Sequence, residues 1–323
     1  MKISPKVTIL LSTFNGDAYL EQLLDSLLSQ DYENWRMIIR DDGSSDETLS
    51  IVSKYSKDYP DKFELNMIES RNVGAAQSFG LLLSYAIHAE YVMFCDQDDI
   101  WLPSKISSTL NAMQHAEHVY DGPILIHTDL TVTNAELEKI DSSYWAYQNI
   151  NPSRDKLNYL LVQNVVTGCT VMINRKLVHL VNPLQQGVIM HDWWIALVAS
   201  AFGKIEYIKE PTILYRQHLK NEVGASRYSV LKQLQKYKIA SKRILMLVKQ
   251  AIIFEDTYSS VLTKQQLQLL STFSNIIKTN RLQRVMAIIR YSLLKTGFIR
   301  NFGFLLILII INKEAQKVYN EIH

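Results

Sequence analysis

The sequence predicts an α/β protein with a mostly parallel sheet, followed by a basic helical extension. Three observations predict it. Short apolar β runs alternate with helical patterns of about 10–15 residues over the first two thirds of the chain, as βαβ units do. Polar and acidic clusters follow those runs directly, where open parallel sheets bind their ligands. Beyond Glu222 the pattern turns helical and the charge balance reverses. Residues 1–222 hold 18 basic and 28 acidic side chains, a net −10, whereas residues 223–323 hold 16 and 4, a net +12. The expected division is therefore 1–222 and 223–323.

Val7–Leu11 is the first expected strand, closed by the turn-like Ser12–Gly16. Leu20, Leu23, Leu24, Leu27 and Leu28 then share a helical face, with Asp17 near the start. Met37–Ile39 is a second strand, and Asp41-Asp42-Gly43-Ser44-Ser45-Asp46 a turn running into a capped helix. Phe63–Ile68 reads as a third strand, Ala75–Ala89 as a helix, and Tyr91–Cys95 as a buried strand ending in Asp96-Gln97-Asp98-Asp99. A helix is expected near Leu102–Met113, strands at Ile124–His127, Thr170–Ile173 and Ile205–Ile208, and a helix near Asp192–Phe202. In the extension, Val230, Leu234, Tyr237, Ile244, Val248 and Ile252 share a face, and a ten-residue apolar run, Phe302–Ile311, follows. As a helix that run spans about 15 Å, half of a ~30 Å hydrocarbon core.

Composition narrows the class. The chain's 323 residues, 47% hydrophobic and 20% charged, suffice for a buried core. Two cysteines, Cys95 and Cys169, make no disulfide framework, so a reducing compartment is the simpler reading. The apolar run after the two N-terminal lysines is shorter than a signal h-region of roughly 7–15 residues, and no run approaches the ~18 residues of a spanning helix. A secreted or multi-pass protein is not expected, nor is a nucleic-acid partner.

The turns carry the chemistry. Asp96-x-Asp98 after a buried strand suits a hard divalent cation that also takes phosphate oxygens; the alternative is a solvated acidic turn capping the next helix. Asp41-Asp42-Gly43-Ser44 is either a turn with a helix cap or part of a site. Phe14 is core or a stacking surface for a base. His218 is a surface histidine or a metal ligand, Asp192 a helix cap or a base, and Trp193 and Trp194 are core or a platform for a sugar ring. Arg71, before the Gly74 turn, is a surface cation or a diphosphate contact. Both cysteines read as packing residues.

The ordered motifs TILLSTFNG, IIRDDGSSDET, RNVGAAQSFG, FCDQDDIWLPSK, TGCTVMINRKL, HDWWIAL and YRQH resemble inverting glycosyltransferase family 2, with its GT-A fold, over about residues 5–220. DQDDIW, the HTDL segment and HDWW are similar to bacterial rhamnosyltransferases of O-antigen, capsule and cell-wall polysaccharide assembly. The resemblance implies that Ser12, Thr13 and Phe14 line the nucleoside pocket and that Asp42 accepts the pyrimidine N3–H. It implies Asp96 and Asp98 as the DxD element, with Asp98 bound to Mg²⁺ or Mn²⁺, His218 completing the metal shell and Asp96 also at the nucleotide. Asp192 becomes the general base, and Arg71 a diphosphate contact. His191 stands where the family often has Glu, and the sequence after Gly74 lacks the common A-R-N ending.

The resemblance further implies a dTDP- or UDP-sugar donor, with dTDP-L-rhamnose the best guess, and a saccharide acceptor carried on a polyprenyl diphosphate lipid. Together with the basic extension it implies a cytoplasmic enzyme, peripheral at the inner face of the cell membrane and drawn to anionic lipid; the extension could instead pack on the first part or form a homodimer. The rivals are a sugar-phosphate nucleotidyltransferase and a non-catalytic, membrane-recruited sugar-nucleotide-binding protein. The first wants a Gly-rich basic loop that STFNG does not supply, and a dehydrogenase is disfavoured because no G-x-G-x-x-G follows Leu11.

Overall fold

The computed structural model describes residues 4–66, 71–218 and 237–311, and the chain divides into two compact units. The first comprises residues 1–148, 166–186 and 190–226 and contains a nine-stranded sheet. Its strands are β1 (Val7–Thr13), β2 (Trp35–Asp41), β3 (Phe63–Leu65), β4 (Tyr91–Cys95), β5 (Ile100–Trp101), β6 (Ile124–Thr133), β7 (Lys139–Asp141), β8 (Met172–Asn174) and β9 (Lys204–Arg216). They run in the order β3-β2-β1-β4-β8-β6-β9-β5, with β7 on β6.

The half from β3 to β4 is wholly parallel, because helices return the chain between its strands: α1 (Asp17–Leu28), α2 (Thr48–Asp58) and α3 (Ala75–Tyr85). α1 buries Leu20, Leu23, Leu24 and Leu27 as its spacing predicts. The other half is mixed: β8 is antiparallel to both β4 and β6, while β6 and β9 are parallel. Strand register sets the site. Thr13 lies beside Asp41 and Leu11 beside Cys95, so the three expected turns leave the sheet at one edge.

Several elements exceed their expected bounds. β6 runs past His127 through Thr128 and Asp129, both buried, because those polar groups are paired inside: Thr128 Oγ1 meets Thr212 Oγ1 at 2.6 Å, and Asp129 accepts from Ser143. β9 continues through Pro211 at a register shift, the place where a sheet tolerates proline. α4 (Lys105–Val119) starts after Pro103 rather than at Leu102. The run near Thr170 is a 3₁₀ turn at Gly168–Thr170 before β8, whose last residue, Asn174, caps α7 (Arg175–Val181) by accepting the Leu177 N–H at 3.2 Å. α5 (Tyr144–Tyr147) is a single turn, and α8 (His191–Phe202) completes the unit. The third strand ends at Leu65; residues 67–70 lie outside the described residues.

The second unit holds residues 149–165, 187–189 and 227–323. The expected division at 222 lies outside the described residues. Residues 149–165, expected in the first part, instead belong here, since Asn158 Nδ2 donates to the Tyr291 carbonyl at 3.0 Å and Gln163 Oε1 accepts the Thr296 N–H at 2.6 Å. The described helices are α6 (Leu157–Leu160), α9 (Tyr237–Tyr258), α10 (Lys264–Ser274), α11 (Arg281–Tyr291) and α12 (Phe298–Ile310). Thr263 with Gln266, and Asn280 with Gln283, form reciprocal capping boxes at α10 and α11. Ile244, Val248, Phe254, Leu270, Phe273 and Leu308 are buried. Val230 and Leu234 of the expected apolar face lie outside the described residues. Among the described residues, no helix is long and apolar enough to cross a membrane.

Candidate active site

The turn after β1 is held from two sides. Asn15 adopts φ +48°, a left-handed conformation that asparagine tolerates. Its N–H donates to Ser44 Oγ at 2.9 Å, and its Oδ1 accepts the Ser45 N–H at 2.8 Å. On the other side Gln97 clasps Phe14: Oε1 accepts the Phe14 N–H at 2.8 Å, and Nε2 donates to the Phe14 carbonyl at 2.9 Å. Gly16 makes room for that clasp, since a Cβ there would lie 2.3 Å from Gln97 Oε1. The Phe14 ring is 45% exposed, so it is a surface and not core. Ser12 Oγ meets Ser78 Oγ at 2.6 Å. Thr13 is fully buried and donates to Asp41 Oδ2 at 2.9 Å, so it fastens the turn instead of facing a ligand.

The turn after β2 is tied into the protein. Asp41 accepts the N–H groups of Gly43 and Ser44 and the hydroxyls of Ser44 and Thr13. Asp42, 3% exposed, accepts from Arg40 at 2.6 Å and from the N–H groups of Val73 and Gly74 at 2.9 Å each. Arg40 stands two residues earlier on the same face of β2 and also holds the Arg71 carbonyl at 3.0 Å. That fixes the Arg71 backbone while its side chain stays exposed.

The turn after β4 differs. Asp96, Gln97 and Asp98 are half-buried, and Asp98 Oδ2 lies 2.9 Å from His218 Nε2. The sequence separates that pair by 120 residues, and β9 closes the gap. Arg216 orders the junction. Its Nε donates to the Asp98 carbonyl at 2.9 Å, its backbone N–H to Asp99 Oδ1 at 3.1 Å and its remaining nitrogens to Ala135 and Gln22, while its guanidinium lies over the Tyr19 ring.

Beneath the turn, Asp99, Cys95, Cys169 and Lys105 are fully buried. Burial pushes the Asp99 carboxyl and both thiols well up and the Lys105 ammonium down to about 8. Ligand atoms of Asp96, Asp99 and Cys169 lie within 4.8 Å of one another. Sulfur is a poor donor to a hard cation, so this buried group does not by itself suit Mg²⁺ or Mn²⁺. Of the expected ligands, Asp98 and His218 are brought together, whereas Asp96 groups with Asp99 and Cys169, so the trio of Asp96, Asp98 and His218 is joined only in part; its oxygen and imidazole donors are of the kind that Mg²⁺ or Mn²⁺ takes.

Asp192 heads α8. Its Oδ2 accepts the Gly168 N–H at 3.1 Å and its Oδ1 the Trp193 N–H at 2.5 Å. Gly168 adjoins Cys169, so the same short turn meets Asp192 on one side and the acidic turn on the other. His191 lies inside, its ring 4.0 Å from that of Phe79 and 5.1 Å from that of Phe94. Neither of its ring nitrogens has a hydrogen-bond partner among the described residues, and burial pushes its pKa down to about 3. It is neutral packing. Trp194 is fully buried, which corrects the expectation that it faces an acceptor; adjacent helical positions diverge by about 100°, and Trp193 is half-buried.

Gln97, Arg40 and Arg216 were not singled out from the sequence. Arg40 could have been found from the alternation of β2, whereas nothing local marks Gln97 or Arg216.

The profile of the family described as "Glycosyl transferase family 2" matches residues 8–180. The "dTDP-rhamnosyl transferase RfbG" of Shigella flexneri is 26% identical over 227 residues, 67% of this chain and 74% of that protein. The "Uncharacterized glycosyltransferase RT0329" of Rickettsia typhi is 29% identical over 177 residues, 53% of this chain and about half (50%) of that protein's own length. Among solved structures, Staphylococcus aureus TarS 1-349 in complex with UDP-GlcNAc shares the fold with a TM-score of 0.55 at 14% identity, covering 98% of this chain and 92% of that one. The mannosyltransferase PcManGT from Pyrobaculum calidifontis, in complex with GDP-Man and Mn²⁺, does so with a TM-score of 0.53 at 15% identity, covering 99% and 84%.

Proposed function

The chain belongs to glycosyltransferase family 2 with a GT-A fold, and we propose that it is an inverting enzyme that moves one sugar from a nucleoside diphosphate to an acceptor hydroxyl. The observation that carries this reading is the convergence at one sheet edge of an exposed aromatic ring, Phe14, and the Asp98–His218 pair, with Asp192 held by the neighbouring Gly168 turn. The base stacks on Phe14, beside Ser12. Asp42 has three of roughly four carboxylate lone pairs occupied, and the last accepts a pyrimidine N3–H. Arg71 contacts the diphosphate. Asp96, Asp98 and His218 would hold a divalent cation, which would supply charge neutralisation for the departing diphosphate.

Asp192 takes the proton from the acceptor hydroxyl as its oxygen bonds to the anomeric carbon. The bond from that carbon to the diphosphate oxygen breaks on the opposite face, and the nucleoside diphosphate leaves with the electron pair. Trp193 offers a surface for the acceptor sugar. The similarity to RfbG favours dTDP-L-rhamnose as donor. The acceptor is a saccharide on a polyprenyl diphosphate in bacterial surface-polysaccharide synthesis, and the second unit recruits the enzyme to the anionic inner face of the cell membrane. Two measurements test the reading. A thermal-shift panel of nucleotide-sugars with Mn²⁺ should show stabilisation by dTDP- or UDP-sugars and little by GDP-sugars. Asp192→Asn should lower turnover about 10²–10⁴-fold with donor affinity kept. Tightest binding of a GDP-sugar, or a product that retains the donor's anomeric configuration, would overturn it.

A further inference from the structure

We propose that the hairpin of α11 and α12 is the membrane-contacting face, bedding its exposed apolar stripes in an anionic lipid surface. This rests on the recruitment reading above and names the surface that would perform it. Leu282, Met286 and Ile289 stand one and two turns apart on α11, exposed by 69%, 59% and 73%. Phe298, Phe302, Leu306 and Ile310 repeat every fourth residue on α12, and the two phenylalanine rings stack at 6.5 Å. Nine of the seventeen large apolar side chains exposed among the described residues fall within residues 282–310. Such a concentration marks an interaction surface, not ordinary surface scatter.

Charge selects the occupant. Residues 257–311 contain seven Lys and Arg and no acid. Arg284 is turned inward, donating to the carbonyls of Ile277, Thr279, Leu308 and Ile311, and so ties the end of α12 to the α11 side of the hairpin. Lys278, Arg281 and Arg290 are exposed beside the apolar stripes. Lys295, just before α12, is turned inward over the Phe304 ring, where burial pushes its ammonium down to about 8, so it is not one of the surface cations. A second copy packed through the same face would set these cations against their own kind, whereas anionic headgroups complement them. The thirteen residues of α12 span about 20 Å, too short for a ~30 Å core, so the helix lies in the interface.

The test uses the full-length chain and flotation with vesicles of phosphatidylglycerol and phosphatidylcholine. Binding should exceed that to pure phosphatidylcholine and fall as salt rises from about 0.1 to about 1 M, where the screening length shrinks from about 10 to about 3 Å. Changing Phe298 and Phe302 together to Ser should lower partitioning roughly tenfold or more, since each ring loses its burial in lipid. The control Val119→Ser, at another exposed apolar position, should change nothing. Phe302→Trp should show a blue-shifted emission on anionic vesicles. If the wild type floats and the double variant floats equally well, the face is wrong while recruitment stands. No flotation of the wild type at low salt overturns recruitment and this inference together. A lipid-free dimer that the double variant dissolves would give the face to a second copy and overturn the proposal.

Discussion

Two acidic turns, Asp41–Ser44 and Asp96–Asp99, end the strands on either side of β1 and read much alike in the sequence. The fold uses them oppositely. Asp41 and Asp42 are buried and surrounded by backbone N–H groups, hydroxyls and Arg40. Asp96 and Asp98 stay half-buried at the mouth of the sheet, with His218 brought against Asp98. A carboxylate encircled by donors shapes a loop and has little left to offer a ligand, one lone pair in the case of Asp42, whereas one left near the surface with an imidazole is open to a ligand.

Substitution should separate the two turns sharply. Asp98→Ala should cost roughly a thousandfold or more in turnover, because several kcal/mol of charge stabilisation at the departing diphosphate is lost. Its unfolding free energy should stay near wild type. Asp42→Ala should do the reverse to stability: it takes from Arg40, whose side chain is only 3% exposed, the carboxylate that neutralises it, and breaking a buried pair costs about 3–5 kcal/mol. Urea unfolding and initial rates on both variants check this. Equal destabilisation would erase the distinction between the turns.

The turn after β4 is also coupled to the loop after β1, through the residue between the acids. Gln97 grips the Phe14 backbone at both its N–H and its carbonyl. Removing the grip frees the loop that carries the stacking ring without touching the acids. Gln97→Ala should therefore raise the donor KM about tenfold, the worth of one to two neutral hydrogen bonds, with kcat little changed. A fall in kcat at constant KM would place Gln97 at the chemistry instead.

How much of this was legible in the sequence follows from the range of each interaction. The βαβ alternation and the three turns were readable because apolar period and turn chemistry are local. The Asp98–His218 contact was reachable only through the motif resemblance, since it joins β4 to the end of β9 across 120 positions. Trp194 was misread because HDWW alone does not show which tryptophan faces in; only the packing of α8 decides it. The length of β6 was hidden by His127-Thr128-Asp129, polar residues that look like a loop until their buried partners are seen. Residues 149–165 were placed in the first part because hydrogen bonds to residues near 291 and 296 leave no mark on composition.

The smallest expected effect concerns His191, next to the proposed base yet unlike it in every respect. Asp192 faces hydrogen-bond donors, while His191 sits between Phe79 and Phe94 with its pKa pushed down to about 3 by burial. Its unfolded value is about 6.5. Above that pH both states are neutral and the residue contributes no pH dependence. Between about 6.5 and 3 the unfolded chain binds a proton that the folded chain excludes, so stability falls as pH falls, by about 1.4 kcal/mol per pH unit for one such group. His127, likewise buried and held near 3, adds a second proton to the same window. His191→Phe keeps the ring contacts and discards one of the two protons. At pH 7 its stability should lie within about 1.5 kcal/mol of wild type. Its unfolding free energy should then decline less steeply on acidification, by one proton's worth of slope, in urea titrations run from pH 7 to pH 4. An unchanged slope would mean that the folded protein takes up the proton at His191, and the ring would then belong with the site and not with the core.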